Sequence, residues 1–219
     1  MNPYNKLYFI LLLVTLISYL SVSRKEEYYQ RIVIIYLILL LLTDVASVYL
    51  VKVVGLRNNL FLFHLSTPLD YTLLALLYRS VIINRTVKKI LTISIPVFIG
   101  LSIFLSIFVQ KINENNSYAI VAESLLMIFL SLFYLREVLL FQQATVLLRF
   151  PLFWISVGVL FFFIGSLLIE GMLNYLMSKS MDLARRAFRI GYIFKYLLCI
   201  LFIIGAFCNS GRVNEDRHK

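Results

Sequence analysis

Seven mostly apolar runs follow one another along the chain, at residues 4–22, 31–53, 60–83, 90–110, 117–141, 152–175 and 190–208. Each is long enough to cross a bilayer as a helix of about 20 residues, and the polar stretches between them are short. The pattern predicts an all-α fold, a polytopic membrane bundle of seven transmembrane helices forming one domain over residues 1–219. The third run, LFLFHLSTPLDYTLLALLYR, departs most from plain hydrophobicity. On a helix turning about 100° per residue, His64, Ser66, Thr67, Asp70 and Tyr71 share one broad arc, while Phe61, Leu62, Leu65, Leu69, Leu73 and Leu76 cover the other. A charge-capable side chain at mid-bilayer costs roughly 2.5–3.5 kcal/mol, so such residues face the protein interior and mark working sites.

Other runs carry similar intrusions. The second holds Asp44 near Thr43, Ser47 and Tyr36, and the fifth holds Glu123 on the side of Met127 and Tyr134. In the fourth, Pro96 is a kink candidate, and Ser102 and Ser106 are one turn apart. The sixth opens on Pro151, suited to a first helical turn. Gly158 and Gly165 then share a face for close helix approach, and Ser166, Glu170 and Asn174 follow at four-residue intervals. Lys195 stands in the seventh beside Tyr192 and Tyr196. Because consecutive helices reverse direction, His64, Glu123 and Lys195 near the starts of odd spans, Asp70 nearer the middle of the third, Glu170 near the end of an even one and Asp44 just past mid-span all fall at mid-depth or toward the N-terminal side. A polar chamber opening on that side is expected, with Asp44, His64, Asp70, Tyr71, Glu123, Glu170 and Lys195 as its ligand-contacting residues. The plainer alternative is that Glu170 and Lys195 snorkel to head groups and that the buried carboxylates merely join helices by hydrogen bonds.

Composition supports the membrane reading. Of 219 residues, 61% are hydrophobic and 15% charged, against about 45–50% and 25% in soluble domains. Mean hydropathy is +0.90. The net charge of +10 resides mostly in Lys and Arg at helix ends, which fits head-group anchoring rather than nucleic-acid binding. With the N-terminus outside, twelve loop cations lie inside and eight outside, which predicts a cytoplasmic C-terminus in a cell inner membrane; the basic KSMDLARRAFR loop before the last span argues the other way. The first run resembles a secretory signal but is followed by further spans, so it is expected to remain as an anchor. Cys199 and Cys208 are nine residues apart on opposite helix faces and cannot pair with each other.

No catalytic signature stands out. His64 and Asp70 are separated by five residues and point about 120° apart, which suits no single-segment dyad. No phosphate-binding glycine loop, zinc-protease motif or three-histidine set is present, and no cofactor is implied. A mixed metal site from His64, Asp70 and Glu123 stays open at this point. The leading expectation is a sensor-like or ligand-binding membrane protein taking a small amphiphile, with a signalling protein as a partner on the C-terminal side. An intramembrane lipid-modifying or hydrolytic enzyme, a proton- or ion-coupled carrier and a structural subunit are the alternatives.

Four blocks, LLTDVASVYLV, NNLFLFHLSTPLDYTLLALLY, SYAIVAESLLMIFLSLFY and PLFWISVGVLFFFIGSLL, together resemble a group of small, uncharacterised multi-pass membrane proteins common in Bacteroidota, some linked to sensor histidine kinases. The resemblance covers most of residues 31–170. It implies a bacterial inner membrane and a signalling context, and carries over no residue roles.

Overall fold

The computed structural model describes residues 3–22, 28–56, 58–112, 114–141 and 147–208. Within them run seven long helices: α1 Pro3–Val22, α2 Tyr28–Lys52, α3 Phe61–Val81, α4 Arg85–Phe104, α5 Ser117–Phe141, α6 Pro151–Lys179 and α7 Met181–Phe207. Six are long and apolar enough to cross a membrane. The remaining one, α3, has a comparable 21 residues, with His64, Pro68, Asp70 and Arg79 diluting its hydropathy. The backbone can only span lipid when its polar groups bond within the segment, which is why apolar runs of this length resolve into helices.

Two boundaries differ from expectation. α4 begins at Arg85 because Asn84 caps it, its side chain accepting from the amides of Thr86 and Val87. The supposed basic loop between the last two spans is helical: only Ser180 separates α6 from α7, and its hydroxyl accepts from the Asp182 amide at 3.2 Å. An exposed Asp182–Arg186 ion pair at 3.1 Å follows. A hydropathy window cannot see this extension, since its stability comes from a cap and an i,i+4 pair rather than from apolar length.

The packing order is a ring. Neighbouring pairs α1–α2, α2–α3, α3–α5, α5–α6, α6–α7 and α7–α1 close a circle of six helices, and α4 lies outside it, packed chiefly on α3. The half of the ring away from the N-terminal side is filled: Leu37, Leu74, Leu77, Met127, Ile155, Val159 and Phe202 are all buried there. Tyr78 donates to Ser131 at 2.8 Å within this layer, and Ser131 in turn donates to the Met127 carbonyl. Gly158 and Gly165 do face α7, as their spacing predicts. A Cβ on Gly158 would stand 3.3 Å from Leu201 and Phe202, and one on Gly165 would overlap the Phe194 ring. Large apolar side chains such as Ile17, Phe108 and Phe129 point outward, 59%, 73% and 68% exposed, as a lipid-facing surface requires.

Candidate functional site

The other half of the ring encloses a cavity of about 680 Å³. It is built by all six ring helices and by Asn115 just before α5, with no residue of α4 in its wall. Asp44, Asp70, Glu123, Glu170 and Lys195 all line it, so five of the seven expected residues share one void. Tyr36, Thr43 and Ser47 extend the α2 wall, and Phe63, Ser66 and Thr67 the α3 wall. The contributions come from the early parts of α1, α3 and α5 and from the late parts of α2 and α6, which puts the void toward the N-terminal side.

The antiparallel register of α6 and α7 divides the lining into two tiers. Gly165 faces Phe194 and Gly191 faces Ile169, so Glu170 stands near the depth of Arg189, while Lys195 lies about 9 Å deeper along α7. The upper tier holds Glu170, Arg185 and Arg189. Asn115 donates to Glu170 at 2.7 Å. The lower tier holds Asp44, Asp70, Glu123 and Lys195. Lys195 sits over the rings of Tyr8 and Tyr192, 4.8 and 5.7 Å from their centroids, where the ring faces attract its ammonium. Tyr192 is tied to Asn5, and Tyr196 donates to the Tyr4 carbonyl at 2.9 Å, which fixes α1 against α7 at this depth.

Two of the three carboxylates of the lower tier are under-satisfied. Glu123 is 4% exposed, and its Oε1, like Asp70 Oδ1, is buried with no hydrogen-bond partner among the described residues. Such orphans are costly: a buried unmet acceptor is worth roughly 1–3 kcal/mol of instability. Merely structural groups are usually partnered, whereas these two border an open void.

His64 and Tyr71 correct the expectation, because neither lines the cavity. Nε2 of His64 donates to the Glu114 carbonyl at 3.1 Å, and its Nδ1 lies 2.8 Å from Ser106. Tyr71 donates to Ser94 at 2.8 Å and stacks on Phe98 with ring centroids 4.1 Å apart. Both face α4 and its π-helical extension Leu105–Val109, not the ring interior. The physical reason is that α3 has protein on two sides, so its polar arc is shared between the chamber and α4. With His64 turned away, the mixed metal site does not form, and no cluster of three His, Cys, Asp or Glu among the described residues is arranged to hold a metal ion. Of the α6 series Ser166, Glu170 and Asn174, the first two reach the cavity and the Asn174 side chain lies outside the described residues. Cys199 and Cys208 are free.

Sequence reasoning missed Tyr8, Arg185, Arg189, Asn115 and Asn116. The last two belong to a short strap before α5 that reaches α3 on one side and α6 on the other. The Glu114 carbonyl accepts from His64, Asn115 holds Glu170, and Asn116 reaches the Phe63 carbonyl and Thr67 at 3.3 Å each. The signal available was the polar run NENN between two apolar spans, but nothing local shows that its Asn115 and Asn116 turn inward. Comparison with protein-family models, curated proteins and solved structures finds no match to this chain.

Proposed function

We propose that this chain is a membrane-embedded ligand-binding protein of sensor-like type, whose chamber takes a small amphiphile with a hydrogen-bond-donating or cationic head. The observation that carries the reading is the pair of orphaned acceptors, Asp70 Oδ1 and Glu123 Oε1, facing a void of about 680 Å³. That volume falls within the roughly 300–1,000 Å³ of small-molecule pockets, and the lining mixes apolar walls with a few converging polar groups. Asp44, Asp70 and Glu123 take the head, with Glu170 and Lys195 bounding it. Arg185 and Arg189 receive any acidic group carried higher on the ligand. Occupancy tightens the ring, and α3 conveys the change to its far end at Arg79, where a signalling protein meets the C-terminal side. In this reading the N-terminus lies outside and the C-terminus in the cytoplasm of a bacterial inner membrane; the excess of loop cations on the C-terminal side and the resemblance to histidine-kinase-linked membrane proteins support it.

Native mass spectrometry of the protein released from detergent is the test. A small molecule retained by the unaltered chain and lost from the Asp70→Asn/Glu123→Gln double variant is the expected result. No retained molecule, or retention equal in the variant, sinks the reading. The same two carboxylates favour a proton-coupled carrier as the second reading. It requires substrate uptake into proteoliposomes driven by a pH gradient and abolished by Asp70→Asn.

A further inference from the structure

The end of the molecule opposite the chamber carries a second cleft, about 490 Å³, between the close of α3 and the opening of α4. Arg79, Arg85, Lys88 and Lys89 line it with Tyr28, Ser80 and Thr92, and among the described residues no acidic side chain does. Arg85, Lys88 and Lys89 stand at i, i+3 and i+4 and therefore share a helix face, where like charges repel. They also occupy the first turns of α4, the positive end of the helix dipole, where added cations are unfavourable. No acid stands in the first turn of α4 itself. The Glu137 carboxylate of α5 accepts from the amides of Ile83 and Asn84 just before that turn, at 3.1–3.2 Å, and leaves a surplus of positive charge in the cleft. Among the described residues none of the four cations is ion-paired. The cleft thus gathers positive charge in the place where a helix least tolerates it.

We propose that this cleft is an anion site that binds a phosphate group. Two guanidinium forks and two ammonium groups match the several acceptor oxygens and multiple charge of a phosphate better than those of a single carboxylate. Ser80 and Thr92 spend their hydroxyl protons on the Leu77 and Lys88 carbonyls, so the cations supply the donors. The cleft lies where α3 ends and α4 starts, at the bilayer surface, so the phosphate belongs either to an anionic lipid head group or to a soluble phosphate. No residue of the chamber lines this cleft, and the proposal does not rest on the chamber's having a ligand.

Two arms separate the sources. In the first, the protein is placed in nanodiscs of phosphatidylcholine with a small share of fluorescent phosphatidylglycerol, and enrichment of the latter is read by energy transfer from Trp154. In the second, the discs contain phosphatidylcholine alone and inorganic phosphate is titrated. Each cation near an anionic surface is worth about five-fold in affinity, so Arg85→Gln/Lys88→Gln should weaken the responding arm about 30-fold. Lys111→Gln/Lys179→Gln, at the other end, should leave it unchanged. Arg85 is exposed and Lys88 half-buried, so the variant keeps its fold, as its melting temperature will report. A response in the first arm assigns a lipid head group and one in the second a free phosphate, provided the double variant loses it. No response in either arm, or a response that survives the variant, overturns the proposal.

Discussion

Replacing Glu123 by methionine distinguishes a binding group from a structural one by the sign of its effect. The side chain is 4% exposed, its Oε1 has no partner among the described residues, and it faces Asp70 across the lower tier. If Glu123 is kept for a ligand, the empty protein bears the cost of a buried unmet acceptor, about 1–3 kcal/mol, and a methionine of similar volume removes it. At roughly 2–4 °C per kcal/mol for a chain of this size, the melting temperature of delipidated protein should rise by about 2–12 °C. Glu123→Gln keeps an orphaned polar group and should shift it far less. Both should abolish retention of the copurifying molecule. Intrinsic fluorescence during thermal unfolding in detergent provides the assay, with native mass spectrometry beside it. Were Glu123→Met to lose 1 kcal/mol or more, Glu123 would be holding helices together, and the main support for a ligand chamber would be gone.

Three further outcomes are expected. Gly165→Ala should cost about 1–3 kcal/mol by overpacking against Phe194, while Gly100→Ala and Gly171→Ala, which meet nothing within 4 Å, should be close to neutral in the same melts. His64→Gln and Tyr71→Phe should lower stability yet leave molecule retention intact; loss of retention would return these residues to the chamber. Membrane-impermeant maleimide should label Cys208 only in inverted vesicles and leave the buried Cys199 untouched in either orientation. Labelling of Cys208 in intact cells would reverse the proposed topology.

The spans were legible because lipid imposes a length and an apolar face on any crossing helix. Depth was legible too: alternating direction alone brought Asp44, Asp70, Glu123, Glu170 and Lys195 to one half of the bundle, where one cavity now includes all five. What a single helix cannot reveal is how many neighbours share its polar arc. His64 and Asp70 lie about 120° apart on α3, and since α4 packs outside the ring, those directions lead to two different interfaces. Arg185 and Arg189 escaped for another reason. Read as loop charges, they helped to count topology, whereas a cap at Ser180 and a helical start at Met181 turn them into walls of the void. Asn115 and Asn116 needed tertiary placement, because a strap is defined by what it reaches.

At about 43 and 40 Å, α6 and α7 both exceed the roughly 30 Å of a hydrocarbon core, and one serine joins them. The pair also packs closely along its length, Gly191 against Ile169, Gly165 against Phe194 and Gly158 against Leu201 and Phe202, so the chamber's tallest wall is built as a single stiff oar. Tilting its blade at the mouth must swing its handle at Cys208 and Leu148, where a hydrogen bond ties the foot of α7 to the stretch before α6. A ligand of the proposed kind, settling against Arg189, would therefore have mechanical purchase on the far end of the bundle through α7 itself.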